Sequence, residues 1–488
     1  MSEAPAGDET PAEESGAQSS FLEELRSSIG RVAAPRAALD PVGETMIRQW
    51  CEAFADDNPV YLDAERARAT AHGRLVAPPA MLDVWLMPGQ ARRPATPGHP
   101  FGEVLPRLDA AGFTGVVATN AEQEYLRMLV PGDTLTAHES LEDVSGPKRT
   151  GLGDGYFVTT LTEYRDAAGE PVGRMRFRIL KFRPPERPPP GAPTPEGAAE
   201  RMRRPRPGIS RDTRFFWDGL ERGELRIQEC GGCGALRHPP GVRCPDCGSY
   251  EQGFRVAGGR GRVYSFVEVH HPQVPAFDYP LLVALVELDE GTRLLANLAG
   301  VDPDEARIGM EVEVAFEKVD EELTLPFFRP VRPARREASP AAEELRVGAA
   351  LDPCPVPITS TLVVAGAMAT RDFTPVHHDV EKAKGQGTPD IFMNIMSTNA
   401  LCTRYVTDWA GPDARLEHLR VRLGVPNFPG DTMVLRGSLE SVEPVAEGRR
   451  VRVKVRGTNR LGDHATAFVD VLLPGPDEGA TSARAGER

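Results

Sequence analysis

Residues 371–379 read RDFTPVHHD, and residues 55–63 read ADDNPVYLD. Each stretch has an aspartate, then Pro-Val, and then a ring five residues after the aspartate. The ring is His377 in one copy and Tyr61 in the other. The residue before Pro375 avoids helical geometry, so residues 371–379 are predicted as a loop. The chain therefore carries one loop motif twice, once with a group that can transfer a proton at neutral pH and once without.

A second repeat follows the first. MLVPGDTLTAHESLEDV at 128–144 parallels GVPNFPGDTMVLRGSLESV at 424–442. Each Pro-Gly-Asp predicts a turn that leads into an alternating strand, and further strands follow in both copies. This duplication predicts two related outer blocks, each consisting of one long helix against an antiparallel sheet.

The helix of the last block is expected directly after the loop motif. Thr388 fits the N-cap, Pro389 the first helical position and Gly411 the C-terminal stop. Its apolar positions are predicted as ordinary core, namely Ile391, Ile395, Met396, Leu401 and Tyr405.

Proline-rich stretches divide the chain. The predicted segments are an acidic disordered tail at 1–20, a block at 21–183, a linker at 184–208, a block at 209–330, a linker at 331–345, a block at 346–475 and a disordered tail at 476–488.

The chain has 488 residues and a formal net charge of −14. Such an excess argues against nucleic acid or an anionic membrane as the main partner. The sequence has no apolar run long enough to span a bilayer, and its N-terminus is acidic without an apolar core. We therefore expect a cytoplasmic protein.

Four cysteines form a tight cluster in QECGGCGALRHPPGVRCPDCGS, residues 228–249. Two Cys-x2-Cys pairs can place four thiolates around one zinc and leave no open position for catalysis. We predict a structural zinc ribbon at 228–250, and a ribbon without metal is the alternative. The predicted ligands are Cys230, Cys233, Cys244 and Cys247.

Short strands with glycine-rich breaks at 255–330 predict a small five-stranded OB-fold barrel. A ribbon followed by a barrel is also typical of nucleic-acid binders. The segment from Arg255 to Arg329 has fourteen acidic and seven basic residues, which disfavours that alternative.

The carboxylate of Asp372 and the imidazole of His377 can converge on one water molecule, which the pair would activate. The alternative is an Asx-turn with an exposed ring. The stretch resembles the MaoC-like, or hydratase-2, family of hot-dog enoyl-CoA hydratases, whose signature is Gly-Asp-x-Asn-Pro-x-His. Arg371 and Thr374 depart from this signature. The resemblance implies that Asp372 and His377 add water to a coenzyme A thioester, with a backbone N–H near Asp390 as oxyanion donor.

The first block keeps Asp56 and Asn58 but has Tyr61 in place of the histidine. It therefore resembles a non-catalytic half that provides room for the acyl group. Asn58, Tyr61, Lys382 and Lys384 are the candidate substrate-binding residues.

The middle block, beginning at FFWDGLERGEL, resembles the DUF35 family. The whole order resembles actinobacterial steroid side-chain enoyl-CoA hydratases with both subunits in one chain. This resemblance implies a bulky steroid enoyl-CoA substrate and a thiolase-fold aldolase docked on DUF35, and we also expect a homodimer. The alternative is a non-enzymatic CoA-binding scaffold. The predicted fold class is α+β, with two hot dogs flanking a zinc ribbon and an OB-fold barrel.

Overall fold

The computed structural model describes residues 11–90, 100–184, 203–277 and 279–475. They form two compact units. The first contains the described residues up to 184, residues 334–352 and those from 358 onward; the second contains the described residues of 203–333 together with 353–357. Within the described ranges, no helix is both long enough and apolar enough to cross a membrane.

The N-terminal half of the first unit is an antiparallel sheet with short helices. Its strands are β1 (Arg36–Ala37), β2 (Gly115–Tyr125), β3 (Thr136–Thr150), β4 (Gly153–Arg165) and β5 (Pro171–Phe182). Its helices are α1 (Pro11–Arg26), α2 (Glu44–Phe54), α3 (Pro59–Leu62), α4 (Ala64–Arg68) and α5 (Pro100–Ala110), with 3-10 turns at Pro79–Met81 and Val84–Leu86.

Two expectations for this half are wrong. Residues 11–20, predicted as part of a disordered tail, lie in α1, because the apolar end of that helix packs into the core through Leu25. Among the described residues of this half, two 3-10 turns and then α5 are found where a single long helix was predicted. Pro78, Pro79 and Pro88 explain the difference, since proline removes a helix donor and clashes with the preceding turn.

The second unit contains the predicted ribbon and barrel. It begins with α6 (Arg214–Leu220), and a three-stranded sheet follows, made of β6 (Arg226–Cys230), β7 (Leu236–Arg237) and β8 (Gln252–Val256). The closed barrel consists of β9 (Arg260–Val269), β10 (Leu281–Leu288), β11 (Arg293–Leu298), β12 (Glu311–Asp320) and β13 (Leu323–Pro330), with a 3-10 turn at Pro303–Glu305. The prediction of a five-stranded barrel is confirmed.

The C-terminal half of the first unit has the long helix. Its elements are α7 (Ser360–Ala369), α8 (Val380–Gly385), α9 (Ile395–Ala410), β15 (Arg415–Leu423), β16 (Thr432–Val445), β17 (Gly448–Asn459) and β18 (Gly462–Pro474), with 3-10 turns at Ala342–Glu344 and Pro375–His377. The strand β14 (Ala350–Pro357) begins in this half, and its residues 353–357 are those counted with the second unit. Nearly every residue of α9 is buried, and the helix ends before Gly411 as predicted.

One sheet runs through both halves of the first unit. Its strand order is β1-β3-β4-β5-β2-β15-β18-β17-β16-β14, and the halves meet where β2 pairs antiparallel with β15, for example Glu122 with Arg420. The turns at both Pro-Gly-Asp repeats have a left-handed glycine, with φ of 97° at Gly132 and 90° at Gly430. The α+β fold class with two hot dogs, a ribbon and a barrel is confirmed.

The two predicted disordered tails and the predicted linker at 184–208 lie partly or wholly outside the described residues. Residues 1–10, 185–202 and 476–488 lie outside the described residues. Residues 334–345 were predicted as linker, yet they belong to the first unit.

Candidate active site

The duplicated loops share one backbone form. In the C-terminal half, the main-chain N–H of Thr374 donates to Oδ1 of Asp372 at 3.2 Å. In the N-terminal half, that of Asn58 donates to Oδ1 of Asp56 at the same distance. The residue before each aspartate is left-handed, with φ of 56° and 48° respectively. The family signature has glycine there, the residue that adopts this conformation without strain.

Asp372 and His377 lie together. Oδ2 of Asp372 is 3.4 Å from Nε2 of His377, and the side chains are 19% and 9% exposed. Nδ1 of His377 is 2.7 Å from the carbonyl oxygen of Phe392. A carbonyl only accepts, so the neutral ring carries its proton on Nδ1 and presents a bare Nε2 towards the carboxylate. Two acceptors then face the same space, where a water molecule can donate to both.

Asn394 holds the carboxylate in place and was not predicted as a site residue. Its Nδ2 donates to Oδ2 of Asp372 at 3.1 Å and to Oγ1 of Thr370 at 2.9 Å. Its Oδ1 accepts from the N–H of Ser397 at 2.8 Å, which makes Asn394 the N-cap of α9. The N-cap preference of asparagine, three residues before Ser397, is the signal that could have identified it.

The predicted helix start at Thr388 and Pro389 is wrong, since α9 begins at Ile395. The main chain ahead of the helix bonds to other segments instead: Phe392 donates its N–H to the carbonyl of Val376 and Met393 to that of Asn427, at 3.2 and 3.1 Å. Asp390 therefore lies five residues before the helix and lacks the helix end that motivated its assignment.

The helix end offers other donors. The first N–H groups of a helix have no partner within it and carry partial positive charge. In α9 these belong to Ile395 and Met396, beside the Asn394 side chain that contacts Asp372.

The N-terminal half has a different arrangement around its aspartate. Asp56 Oδ1 pairs with Nη2 of Arg335 at 2.7 Å, and the same nitrogen is 2.5 Å from Oδ1 of Asp408 on α9. Tyr61 is buried nearby, and burial together with the charge of Asp56 raises the pKa of its phenol well above the usual value. A fixed cation and a phenol that stays protonated take the place of the imidazole. Nothing in the local sequence of the predicted linker marks Arg335 for this role.

The other candidate substrate-binding residues form no hydrogen bond or ion pair with Asp372 or His377 among the described residues. Asn58 is buried and caps α3 by accepting from the N–H of Val60 at 3.3 Å. Lys382 and Lys384 lie exposed on α8, and Lys384 is 3.9 Å from Glu381. Their binding of substrate stays a prediction.

His464 forms a hydrogen bond with the first turn of α9. Its Nδ1 is 2.7 Å from the carbonyl of Val425, and its Nε2 is 2.9 Å from Oγ1 of Thr398. Because Nδ1 must donate to the carbonyl, Nε2 accepts from the hydroxyl. Burial lowers the pKa of His464 to about 4.

We expect His464 to make the first unit less stable in acid. A base whose pKa is lowered by folding stabilises the fold fully above its unfolded pKa of about 6.5, and this contribution is lost as pH falls towards 4. The free energy of unfolding should drop by about 2 kcal/mol more between pH 7 and pH 5 in the wild type than in His464→Gln. Urea unfolding at both pH values measures this difference, and equal drops in the two proteins would contradict it.

The four predicted zinc ligands converge in the second unit. All four sulfur atoms lie within 4.8 Å of one another. Cys230 is 3.5 Å from Cys247, and Cys233 is 3.7 Å from Cys244. Thiolates about 2.3 Å from one tetrahedral zinc lie about 3.8 Å apart, so the cluster fits the ion.

This fold defines a class of protein: a double hot dog with one complete Asp–His pair and an attached ribbon–barrel module. Four family models match it. They are the FAS1-like dehydratase domain region at residues 27–175, the ChsH2 rubredoxin-like zinc ribbon domain at 217–251, the ChsH2 C-terminal OB-fold domain at 254–317 and the MaoC like domain at 344–460.

The 3-oxo-4,17-pregnadiene-20-carboxyl-CoA hydratase of Mycobacterium tuberculosis resembles this chain in both subunits. The alpha subunit is 42% identical over 304 residues, which are 60% of this chain and 94% of that subunit. The beta subunit is 46% identical over 127 residues, 26% of this chain and 95% of that subunit. The chain belongs to the MaoC-like enoyl-CoA hydratase family, with the parts that are separate alpha and beta subunits in this relative joined in one chain.

Two further similarities concern a scaffold protein and a solved structure. A DUF35 domain-containing scaffold protein of Methanothermobacter thermautotrophicus is 37% identical over 106 residues, 21% of this chain and 78% of that protein. A solved MaoC-like dehydratase shares the fold, with a TM-score of 0.51 and 18% identity over 92% of this chain and 99% of that one.

Proposed function

We propose that this protein adds water across the conjugated double bond of a bulky enoyl-CoA, and that Asp372 and His377 activate the water. The observation that supports this most is the convergence of the carboxylate and the bare Nε2 on one space, beside the N-terminus of α9. A non-enzymatic scaffold would not need a carboxylate held by three hydrogen bonds next to an oriented imidazole.

The proposed step balances in protons and electrons. The water oxygen bonds to the β-carbon while the electron pair of the double bond moves towards the thioester oxygen. One water proton passes to the Asp372–His377 pair and is then delivered to the α-carbon, which leaves the product with one added water. Neither side chain forms a covalent bond with the substrate.

Charge that develops on the thioester oxygen needs donors. The N–H groups at the start of α9, from Ile395 onward, belong to a helix whose dipole favours negative charge at that end. We assign the oxyanion site to this turn rather than to Asp390, because Asn394 links it directly to Asp372.

A large acyl group is favoured by the non-catalytic half. The central helix of a hot dog fills the concave side of its sheet, and in this half two 3-10 turns replace it. The related M. tuberculosis hydratase is named for a steroid side-chain substrate. We therefore propose a steroid side-chain enoyl-CoA, and the first test is whether the purified protein removes the conjugated-thioester absorbance of 3-oxo-4,17-pregnadiene-20-carboxyl-CoA. No loss of absorbance would refute the hydratase function.

We further propose that the second unit docks a thiolase-fold aldolase that cleaves the hydrated product. The match to ChsH2 domains and to a protein named as a scaffold supports a docking role. Association of two chains into a homodimer stays a prediction.

Removal of the zinc should separate docking from hydration. We expect Cys244→Ser to lose the bound zinc and to stop co-eluting with the aldolase, because four-thiolate sites contribute folding energy to small ribbons. Hydration should be unchanged, since Asp372 and His377 lie in the first unit. Metal analysis, gel filtration with the aldolase and the absorbance assay measure the three effects. A variant that keeps its zinc, or one that loses hydration instead of docking, would contradict this.

A further inference from the structure

The two halves of the first unit share main-chain hydrogen bonds around the duplicated loop, so their residues can be compared position by position. In the C-terminal half, the N–H of Phe392 donates to the carbonyl of Val376 at 3.2 Å. In the N-terminal half, the N–H of Val76 donates to the carbonyl of Val60 at 3.0 Å. Both accepting valines belong to the Pro-Val pair of the loop motif. Val76 is therefore the counterpart of Phe392.

The Pro-Gly-Asp turns match in the same way. The N–H of Asp431 donates to the carbonyl of Phe428 at 3.2 Å, and the N–H of Asp133 donates to that of Val130 at 3.0 Å. Val130 is therefore the counterpart of Phe428. At both positions, the half that has the imidazole has phenylalanine, and the half that has Tyr61 in its place has valine.

The two phenylalanines form an aromatic row with the imidazole. The ring centroids of His377 and Phe392 are 5.0 Å apart, and the ring planes meet at 79°. Phe428 extends the row, with its centroid 6.3 Å from that of Phe392 and an angle of 78°. Both contacts are edge-to-face, one of the arrangements that aromatic rings prefer. Because the carbonyl of Phe392 also binds Nδ1 of His377, one residue holds the imidazole through both its main chain and its side chain.

We propose that Phe392 is a positioning residue for hydration, whose ring keeps Nε2 of His377 directed towards Asp372, and that Phe428 holds this ring in place. The inference rests on the proposed hydration by Asp372 and His377. The hydrogen bond at Nδ1 fixes one side of the imidazole but allows the ring to tilt about that bond, and the edge-to-face contact restricts the tilt. Misplacement of a catalytic group by 1 Å can cost about 10²-fold in rate. The half without a base has no ring to orient, and its counterparts are valines.

The test is a double-mutant cycle with His377, measured as single-turnover hydration of a steroid enoyl-CoA. We expect Phe392→Leu to lower kcat about tenfold with little change in KM, because the imidazole is less well placed while substrate binding is kept. In a His377→Ala background the same substitution should leave the residual rate unchanged, since no imidazole remains to be positioned. Equal losses in the two backgrounds would overturn the proposal, because they would show a role in folding or substrate binding instead.

Three further variants keep the result specific to the ring. Phe392→Tyr retains the edge-to-face contact and should retain most of the wild-type kcat. Val76→Ala shortens the counterpart side chain in the N-terminal half and should leave kcat unchanged. Phe428→Leu leaves the contact between Phe392 and His377 in place, so it should cause a smaller loss than Phe392→Leu, again only when His377 is present.

Circular dichroism of each variant shows whether it is folded. If Phe392→Leu does not fold, the cycle is carried out with Phe428→Leu, and equal losses with and without His377 again overturn the proposal. Wild-type kcat in Phe392→Leu, or a tyrosine variant as slow as the leucine variant, would also overturn it. If instead the wild type hydrates no steroid enoyl-CoA, the proposed function itself has failed.

Discussion

His377→Ala is expected to lower kcat on a steroid enoyl-CoA on the order of 10³-fold, because a positioned general acid–base group typically contributes that much. The alanine removes the Nε2 that faces the carboxylate of Asp372 at 3.4 Å. Asp372→Asn should cause a loss of similar size, since both groups act on one water molecule. The double variant should be little worse than either single one, as groups that act as a unit are not additive. Single-turnover absorbance decay measures each rate.

The neighbouring histidine provides the control. His378→Ala changes the same loop but removes a ring that makes no contact with Asp372 in the hydrogen bonds and ion pairs of the described residues. It should leave the rate nearly unchanged. If His377→Ala keeps most of the activity, or if both histidine variants fall equally, then the Asp–His pair is not the catalytic group.

Arg335→Met is expected to lower the free energy of unfolding of the first unit by about 3–5 kcal/mol, the usual cost of breaking a buried ion pair. The side chain is 8% exposed and pairs with Asp56 and Asp408, which are 6% and 8% exposed. Methionine preserves much of the side-chain length but removes the cation that Asp56 and Asp408 share, whereas Arg404 still lies 3.9 Å from Asp408. Urea denaturation followed by circular dichroism measures the change.

A variant of the adjacent arginine separates the effect of burial on stability from the effect of charge alone. Arg336 pairs with Glu344 at 2.7 Å, but both side chains are well exposed, at 38% and 46%. Arg336→Met should therefore cost less than about 1 kcal/mol. Adding Asp56→Asn to Arg335→Met should recover part of the stability, because it removes the buried negative charge that Arg335 balances in the wild type. Similar losses in the two methionine variants would show that burial of the Arg335 network contributes nothing.

Sequence alone predicts a structural feature correctly where its signal is local. The Pro-Gly-Asp turns, the alternating strands and the Cys-x2-Cys pairs each depend on a few neighbouring residues, and each is present as predicted. The spacing of Asp372 and His377 likewise placed both on one loop, and the structure brings them together.

The predictions that are wrong concern features set by contacts between distant segments of the chain. Thr388 and Pro389 fit a helix start by local preference, but hydrogen bonds from Phe392 to Val376 and from Met393 to Asn427 delay the helix to Ile395. Arg335 lies in a stretch with linker composition, and only the folded chain shows that Asp56 and Asp408 enclose it. Long-range pairing of this kind leaves no periodic or compositional signal in a single sequence.

The strand pair β2–β15 has a consequence for how the enzyme behaves on dilution. The mycobacterial relative is named as separate alpha and beta subunits, and the association of separate chains depends on their concentrations. Here β2 and β15 belong to one polypeptide. Their pairing is therefore intramolecular and does not depend on the protein concentration. Specific activity should therefore stay constant on dilution to protein concentrations at which separate subunits would dissociate.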